Sequence, residues 1–296
     1  MLIDSKILSL IKIVETGSFT KTADALGLTQ PAISQHIKQL EEELGIKIFY
    51  RGNNEFRLTP DGEIVLEYAR RLVAIDNALR QNLADEKAKV TSIAVGITHT
   101  VESSVIVEAL AGYAKEQGGI AVKVVTDSIQ NLYQKLKNYE VDFIIVSDRI
   151  KDTTLRYSTL VNDSLELIVS PEHPLAGKKA VNFSDIKGER FILRTVASDT
   201  RHRISKSMKK SNHSLEEFDI VLELDNIATI KDLIRRNFGV SILAKSSCMD
   251  EILKKKLISI PIQNLDLQRE IVIASNTDYE HSEIIDGIVT YYNAMK

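Results

Sequence analysis

Over the first ninety positions apolar residues return every three or four places, the period of a helix face, whereas beyond residue 90 short β-branched runs alternate with such helical stretches. Ile7, Leu10, Ile11 and Val14 predict a first helix over 4–16 that stops at Gly17. Thr20 is positioned to cap a second helix whose Ala23 and Leu26 face inward and which Gly27 ends. Pro31, which lacks the N–H a first turn leaves unpaired anyway, opens a third helix capped by Thr29 or Gln30 and closed by Gly45. On a helical wheel Ile33, Ile37, Leu40 and Leu44 fall on one side of that helix, with Pro31, Gln35, Lys38 and Glu42 opposite. Ile46, Ile48 and Phe49, the polar turn at 51–55 and Phe56, Arg57 and Leu58 read as a small hairpin. Three helices and a hairpin predict an all-α winged helix-turn-helix over 1–59.

From Pro60 to about Lys89 helical spacing continues through Val65, Ala69, Leu72, Leu79 and Leu83, interrupted at Asp76. Between two complete domains, such a helix reads as a linker over 60–89 that pairs with its copy, against the plainer reading of an amphipathic helix lying on its own domain. The remainder, 90–296, reads as α/β. Strands at 93–97, 120–125 and 141–146 alternate with a helix at 103–117 and one around Leu132 and Leu136, so a parallel sheet is expected. A second set has strands at 165–169, 191–193, 220–224 and 240–243, with helices at 200–210 and 227–236. The last strand, 270–275, and helix, 282–294, lack partners there and are expected to return to the first set. That gives a first lobe of 91–161 with 267–296 and a second of 162–266.

Composition narrows the function classes. With 44% hydrophobic and 27% charged residues, the chain can bury a sizeable core and is neither fibrous nor disordered. No apolar run is long enough to span a membrane, and the N-terminus lacks the layout of an export signal. Cys248, the single cysteine, forms no internal disulfide, so a reducing cytoplasm is expected, and an inert buried thiol is preferred over a redox sensor. Phosphate-loop, dinucleotide, zinc-protease and hydrolase motifs are absent, and the six histidines show no metal-ligand spacing; no enzyme, metal or cofactor is expected. His99 stands apart, just past a strand between Thr98 and Thr100, where a ligand can sit.

The formal net charge of −3 gives no bias toward nucleic acid, and the first 60 residues hold seven basic and seven acidic side chains. DNA binding must therefore rest on where residues lie. A recognition helix needs small or hydrogen-bonding side chains near its start to meet base edges in the major groove. Gln30 and Gln35 carry paired donors and acceptors, Pro31 and Ala32 suit a thymine methyl, and Thr29 and Ser34 are short. Ser18, Thr20, Lys38 and Arg51 suit phosphates. Glu41, Glu42 and Glu43 would repel DNA and must point away from it or toward a dimer partner.

Residues 10–62 resemble the DNA-binding end of LysR-type transcriptional regulators. The likeness is carried by Gly17-Ser18-Phe19-Thr20, Ala23, Leu26, Thr29-Gln30-Pro31-Ala32-Ile33-Ser34, Ile37, Leu40-Glu41, Leu44-Gly45, Phe49, Arg51, Leu58-Thr59 and Gly62, all in register. Asp142 before Ile144, His173-Pro174-Leu175-Ala176 and Gly239 resemble that family's effector domain, so the likeness spans the chain. Phe191 to Arg194 followed by Ala197-Ser198-Asp199-Thr200-Arg201 is similar to the loop of the cysteine-biosynthesis regulators, with Ala197 and Asp199 standing where glycine is common and Glu108 where proline is.

The resemblance implies a two-lobed, periplasmic-binding-protein-like (type II) effector domain, a homodimer or homotetramer, and a pseudo-palindromic operator in double-stranded DNA. Thr98, His99, Thr100, Ser147, Ser198 and Thr200 are expected at the carboxyl ends of strands and the starts of helices, where a small anion or carboxylate effector would bind. Arg194 and Arg201 would add charge only if turned inward, each being more usual at the surface, and Arg149 is weaker still. The competing readings are a two-lobed solute-binding protein or enzyme and a ligand-free DNA-binding regulator.

Overall fold

The structure, a computed structural model, describes residues 2–50, 57–279 and 281–295, which fall into two compact units. One unit is Met1–Ser92 with Lys137–Glu140, the other Ile93–Leu136 with Val141–Lys296. In the first, α1 (Ser5–Thr16) is capped by Asp4, whose carboxylate accepts from the Lys6 N–H at 2.8 Å. α2 (Phe19–Leu26) is capped by Ser18 rather than Thr20. Ser18 has the extended backbone a cap needs and accepts from the Lys21 N–H, so Thr20 falls inside the helix on its exposed face. α3 (Gln30–Leu44) starts at Thr29, whose hydroxyl accepts from the Ala32 N–H, and all three helices end on a left-handed glycine.

Leu10, Ile13, Ala23, Ile33, Ile37 and Leu40 form the head's core with Ile48 and Leu66. Leu44 does not join them. The core reaches along α3 only to Leu40, and Leu44, in the last turn, stays 49% exposed. Phe49 bridges Leu58 in antiparallel fashion, as a hairpin requires, while 51–56, including Arg51 and the polar turn, lie outside the described residues.

α4 (Pro60–Ala88) begins at Thr59, whose hydroxyl accepts from the Gly62 N–H at 2.9 Å. A Cβ on Gly62 would lie 2.1 Å from the Ile48 carbonyl oxygen, so only glycine lets α4 start this close to the hairpin. The helix runs unbroken through Asp76, where the sequence predicted an interruption: the carboxylate is buried and accepts from the Arg80 guanidinium one turn on, at 2.9 Å.

In the second unit a mixed sheet runs in the order β2-β1-β3-β9-β4-β7, with β1 (Thr91–Ile97), β2 (Ile120–Thr126), β3 (Phe143–Val146), β4 (Leu155–Val169), β7 (Ser241–Ala244) and β9 (Gln268–Asn276). β1 and β3 are parallel, and β9 returns antiparallel between β3 and β4, as expected of the C-terminal strand. α6 (Ile106–Gln117) and α12 (Ser282–Ala294) cover one face and α7 (Ile129–Lys137) the other, giving the first lobe two cores.

The helix predicted at 103–117 starts at Ile106 as α6, and a separate short helix, α5 (His99–Glu102), precedes it. Ser104 separates them, its hydroxyl donating to the Val101 carbonyl at 2.6 Å and accepting from the Ile106 N–H. Reciprocal glycine–tyrosine pairs, Gly112 on Tyr291 and Gly287 on Tyr113, let α6 and α12 approach closely.

β4 is longer than expected. Its first ten residues, unpredicted because their pattern is largely polar, pair with β9 and carry the chain from the first lobe's core into the second's. There β5 (Arg190–Arg194) pairs in parallel with β6 (Asp219–Leu224), and β8 (Ile258–Ile260) pairs with β4. α8 (Phe183–Ile186) and α9 (Asp199–Lys210) pack on one core, and α10 (Ile227–Arg235) and α11 (Met249–Leu253) on another.

Candidate functional site

The outer face of α3 is free. Thr29, Gln30, Pro31, Gln35 and Lys38 are exposed and Ala32 and Ser34 half-buried, while Ile33 and Ile37 hold the opposite face in the core. The Gln30 amide donates to the Ser34 hydroxyl at 2.9 Å, one turn on, which orients both polar groups outward together. His36 fixes the helix from behind, its Nδ1 2.7 Å from the buried Ser9 hydroxyl of α1. Thr20 is exposed on α2, and Ser18 is half-buried by its capping role.

The three glutamates go to the head's own cations. Glu43 accepts from Lys6 at 2.5 Å, and Lys38 lies 3.6 Å from Glu42. Glu41 accepts from Lys47 at 2.6 Å and from the Ile48 N–H at 2.9 Å, so it ties α3 to the hairpin. Burial works to raise the Glu41 carboxyl, and the Lys47 ammonium and Ile48 N–H outweigh it, so the group is held below the usual carboxylate value.

α4 presents a face the sequence pattern only partly located. Val65 and Ala69 belong to the head's core, whereas Ile64, Tyr68, Leu72, Ile75, Leu79 and Leu83 are each at least 44% exposed. At about 100° per residue these six fall within an arc of about 100° and form one stripe about 28 Å long. The expected row mixed Val65 and Ala69, which turn toward the head, with Leu72, Leu79 and Leu83 of the exposed stripe, and so left out Ile64, Tyr68 and Ile75.

Between the lobes of the second unit one pair of the predicted hydroxyls meets, and the others are buried. Thr98, Thr100, Ser147, Ser198 and Thr200 are all buried, and the Thr100 and Thr200 hydroxyls, from α5 and α9, are 3.5 Å apart. Thr98 accepts from the Val101 N–H and Ser198 from the Arg201 N–H, so both are helix caps that still hold an O–H to donate. The His99 ring is exposed, 3.6 Å from Glu102.

Arg194 and Arg201, expected at the surface, are buried. The Arg194 guanidinium donates to Asp225 at 2.7 Å and holds that carboxyl below its usual value, while its Nη1 is buried with no partner. Arg201 donates to Glu223 at 2.8 Å, and its Nε is likewise unmatched. Arg194 ends β5, whose parallel pairing with β6 brings it beside Asp225 in the loop after β6, while Arg201, in the first turn of α9, reaches Glu223 of β6.

Sequence reasoning missed a second feature. Where β3 ends and β4 and β9 run side by side, a cavity of about 530 Å³ is lined by Ser147, Asp148, Arg149, Asn162, Arg203, Gln268, Arg269 and Glu270. Arg203 donates to the Ser147 and Gln268 carbonyls, at 3.3 and 3.4 Å, and to the Asp148 carboxylate. Arg149 pairs with Glu270 at 2.9 Å, and Arg269 with the buried Asp163 at 2.6 Å. No spacing signal links residues about 120 positions apart; only the β4–β9 register does.

Other residues that carried the resemblance are structural. Asp142 accepts from the Ala94 N–H at 2.6 Å and joins β1 to β3. His173 Nδ1 accepts from the Leu175 N–H and its Nε2 lies 3.2 Å from Glu189. A Cβ on Gly239 would meet the Arg190 carbonyl at 2.5 Å. Cys248 is fully buried and its thiol is pushed up to about 12, chiefly by burial, so it is inert.

Among the described residues no cluster of histidine, cysteine and acids suits a metal, and no helix is long and apolar enough to cross a membrane.

Residues 6–63 match the family model for the bacterial regulatory helix-turn-helix protein, lysR family, and residues 88–293 that for the LysR substrate binding domain. The chain is similar to the HTH-type transcriptional regulator YtlI of Bacillus subtilis, at 31% identity over 270 residues that cover 91% of this chain and 86% of the relative. It is also similar to a probable RuBisCO transcriptional regulator of Trieres chinensis, at 28% identity covering 97% and 94%. In fold it is similar to full-length CbnR solved with its target DNA, with a TM-score of 0.66 at 16% identity over 98% of this chain and 99% of that one.

Proposed function

The chain belongs to the LysR family of transcriptional regulators, DNA-binding proteins with an effector-binding domain and not enzymes, and from that premise we propose which residues carry each role. Residues 1–59 are the DNA-binding head, 60–89 the dimerising linker and 90–296 the effector domain, with lobes of 91–161 plus 267–296 and 162–266. The exposed polar face of α3, backed by a buried apolar face, carries this reading. Gln30, Pro31, Ala32, Ser34 and Gln35 read base edges in the major groove of a pseudo-palindromic operator, with Thr29 meeting the DNA at the helix start, while Ser18, Thr20, Lys38 and Arg51 hold phosphates. Gln35→Ala is expected to cost about 1–3 kcal/mol at particular base pairs, and Arg51→Ala to weaken all sequences alike. Binding at one fixed salt concentration that neither substitution changes would overturn this assignment.

The α4 stripe supports a homodimer, because six large apolar side chains in one row are otherwise left to water. Pairing of effector domains then makes a tetramer. Sedimentation of the folded protein as a 33.2 kDa monomer would contradict both.

The effector is a small anion held between the lobes by Thr98, Thr100, Ser147, Ser198 and Thr200, with His99 at the rim and the unmatched Arg194 Nη1 supplying charge. Binding acts by favouring one arrangement of the lobes over another. Calorimetry with sulfate, thiosulfate and short carboxylates on wild type and on Thr100→Val/Thr200→Val tests it, and equal binding of an anion by both would place the site elsewhere. The buried inert thiol and the membrane findings suit a bacterial cytoplasm.

A further inference from the structure

The cavity beside β4 and β9 lies outside the hydroxyl cluster and shares only Ser147 with it. Its size falls within the range of small-molecule sites. Three guanidiniums and two carboxylates line it, and the ion pairs differ in kind. Arg269 and its partner Asp163 have only 2% and 4% of their side chains exposed and are locked together. Asp148 and Glu270, which hold Arg203 and Arg149, are 54% and 51% exposed, so water can take over either carboxylate if its arginine is claimed by something else.

Asp199, in the first turn of α9, is held above the usual carboxylate value by burial and then by nearby Asp148.

We propose that this cavity binds a small dicarboxylate, one carboxylate displacing Asp148 from Nη2 of Arg203 and the other displacing Glu270 from Arg149. Paired guanidinium donors match a planar carboxylate, and the Asn162 and Gln268 amides line the same space for the remaining polar atoms of such a ligand. Arg203 belongs to α9 of the second lobe, whereas Ser147 and Asp148 follow β3 of the first. The exchange therefore replaces a tie between the lobes with ligand contacts, and occupancy of the cavity is coupled to their arrangement. The inference takes the effector domain to be ligand-responsive but does not depend on an anion in the hydroxyl cluster.

The experiment is calorimetry on the full chain with succinate and glutarate, with butyrate and sulfate as comparison ligands. Wild type is expected to take a dicarboxylate in preference to butyrate and sulfate. Arg203→Gln is expected to weaken that binding at least about tenfold, and Thr100→Val/Thr200→Val to leave it unchanged. Asp148→Asn, which removes the competing carboxylate, is expected to tighten binding about threefold to tenfold, while Asp266→Asn, an equal change of charge outside the cavity, does not. Arg203→Lys, which keeps charge without the fork, serves if Arg203→Gln fails to fold and is expected to lose the preference for two carboxylates.

Dicarboxylate binding that survives loss of the Arg203 fork, or that Asp148→Asn weakens or leaves unchanged, would overturn the proposal, as would no preference over butyrate. Loss of dicarboxylate binding in the threonine double variant alone would move the ligand to the hydroxyl cluster, upholding that site and sinking this one. Loss of sulfate or butyrate binding there, with dicarboxylate binding intact, would support two separate sites.

Discussion

On the outer face of α3 the polar groups have almost nothing of their own to bind, whereas the effector unit matches its cleft and cavity arginines one by one with acids. Gln30, Gln35 and Lys38 stand exposed, with only a one-turn amide bond and a 3.6 Å approach to Glu42 between them. In the effector unit Arg149, Arg194, Arg201, Arg203 and Arg269 are each paired with a carboxylate. The difference follows from the partner. DNA supplies a dense row of phosphates, so a head needs only to leave donors uncommitted and its acids occupied elsewhere. A small ligand brings one or two charges, so the protein must neutralise its own buried guanidiniums and release them by exchange.

The contrast breaks most visibly at Arg269. Its ion pair with Asp163 is almost wholly buried, and Arg269→Ala would strand that carboxylate at a cost of about 3–5 kcal/mol. The effector unit's melting transition is expected to fall on the order of 10 °C. In the head, Lys12→Ala removes an exposed partner of Glu15 and is expected to cost under about 0.5 kcal/mol. Calorimetric scans of both variants check the pair of outcomes, and similar shifts for the two would abolish the distinction.

Gly62→Ala sharpens it from the other side. The head's stability rests on close backbone approach, and a methyl 2.1 Å from the Ile48 carbonyl forces α4 off the hairpin. About 1–3 kcal/mol is expected to be lost from the head alone. DNA binding should fall in a mobility-shift titration while the effector unit melts as before.

A smaller effect is expected at Glu41, which joins recognition helix to hairpin. Because its carboxyl is held below its ordinary value of 4.5, the stabilisation is complete above that value and is lost as pH falls through the lower folded value. Glu41→Gln should remove this part of the acid dependence of the head's melting temperature. An acid limb of unchanged slope in the variant would show that the Lys47 and Ile48 contacts contribute nothing.

The head was legible because its information is local. Caps, left-handed glycines and the Ile33, Ile37 and Leu40 stripe lie within one or two turns of what they control, and the two errors there, Thr20 as cap and Leu44 as core, are shifts at helix ends. The α4 stripe was half legible, since one helix carries an apolar face for the head and another left bare, and spacing alone mixes them. In the effector unit the strand ends and helix starts that carry the hydroxyls mark themselves in the sequence. The arginine pairs do not. They depend on β9 lying between β3 and β4 and on β5 beside β6, contacts between segments far apart in sequence.

Asp199 gives the smallest and most pointed test, because it is the acid at the cleft that stands outside the matching. It takes a position where related loops carry glycine, no hydrogen bond to it is found among the described residues, and burial and Asp148 hold its carboxyl above the ordinary 3.8. For an acid whose folded value is raised, the folded state binds the proton more tightly than the unfolded chain does. Stability is then greatest below 3.8 and declines as pH rises through the folded value. At neutral pH the group is a net cost. Asp199→Asn keeps the shape and removes the charge, and the effector unit is expected to melt about 1–3 °C higher at pH 7, with the gain shrinking toward zero as the pH is lowered. A series of melts between pH 4 and 7 on wild type and variant measures it. A variant that melts lower at neutral pH would mean that Asp199 draws net attraction from Arg194 and Arg269, and the matching of charge in the cleft would then extend to every acid in it.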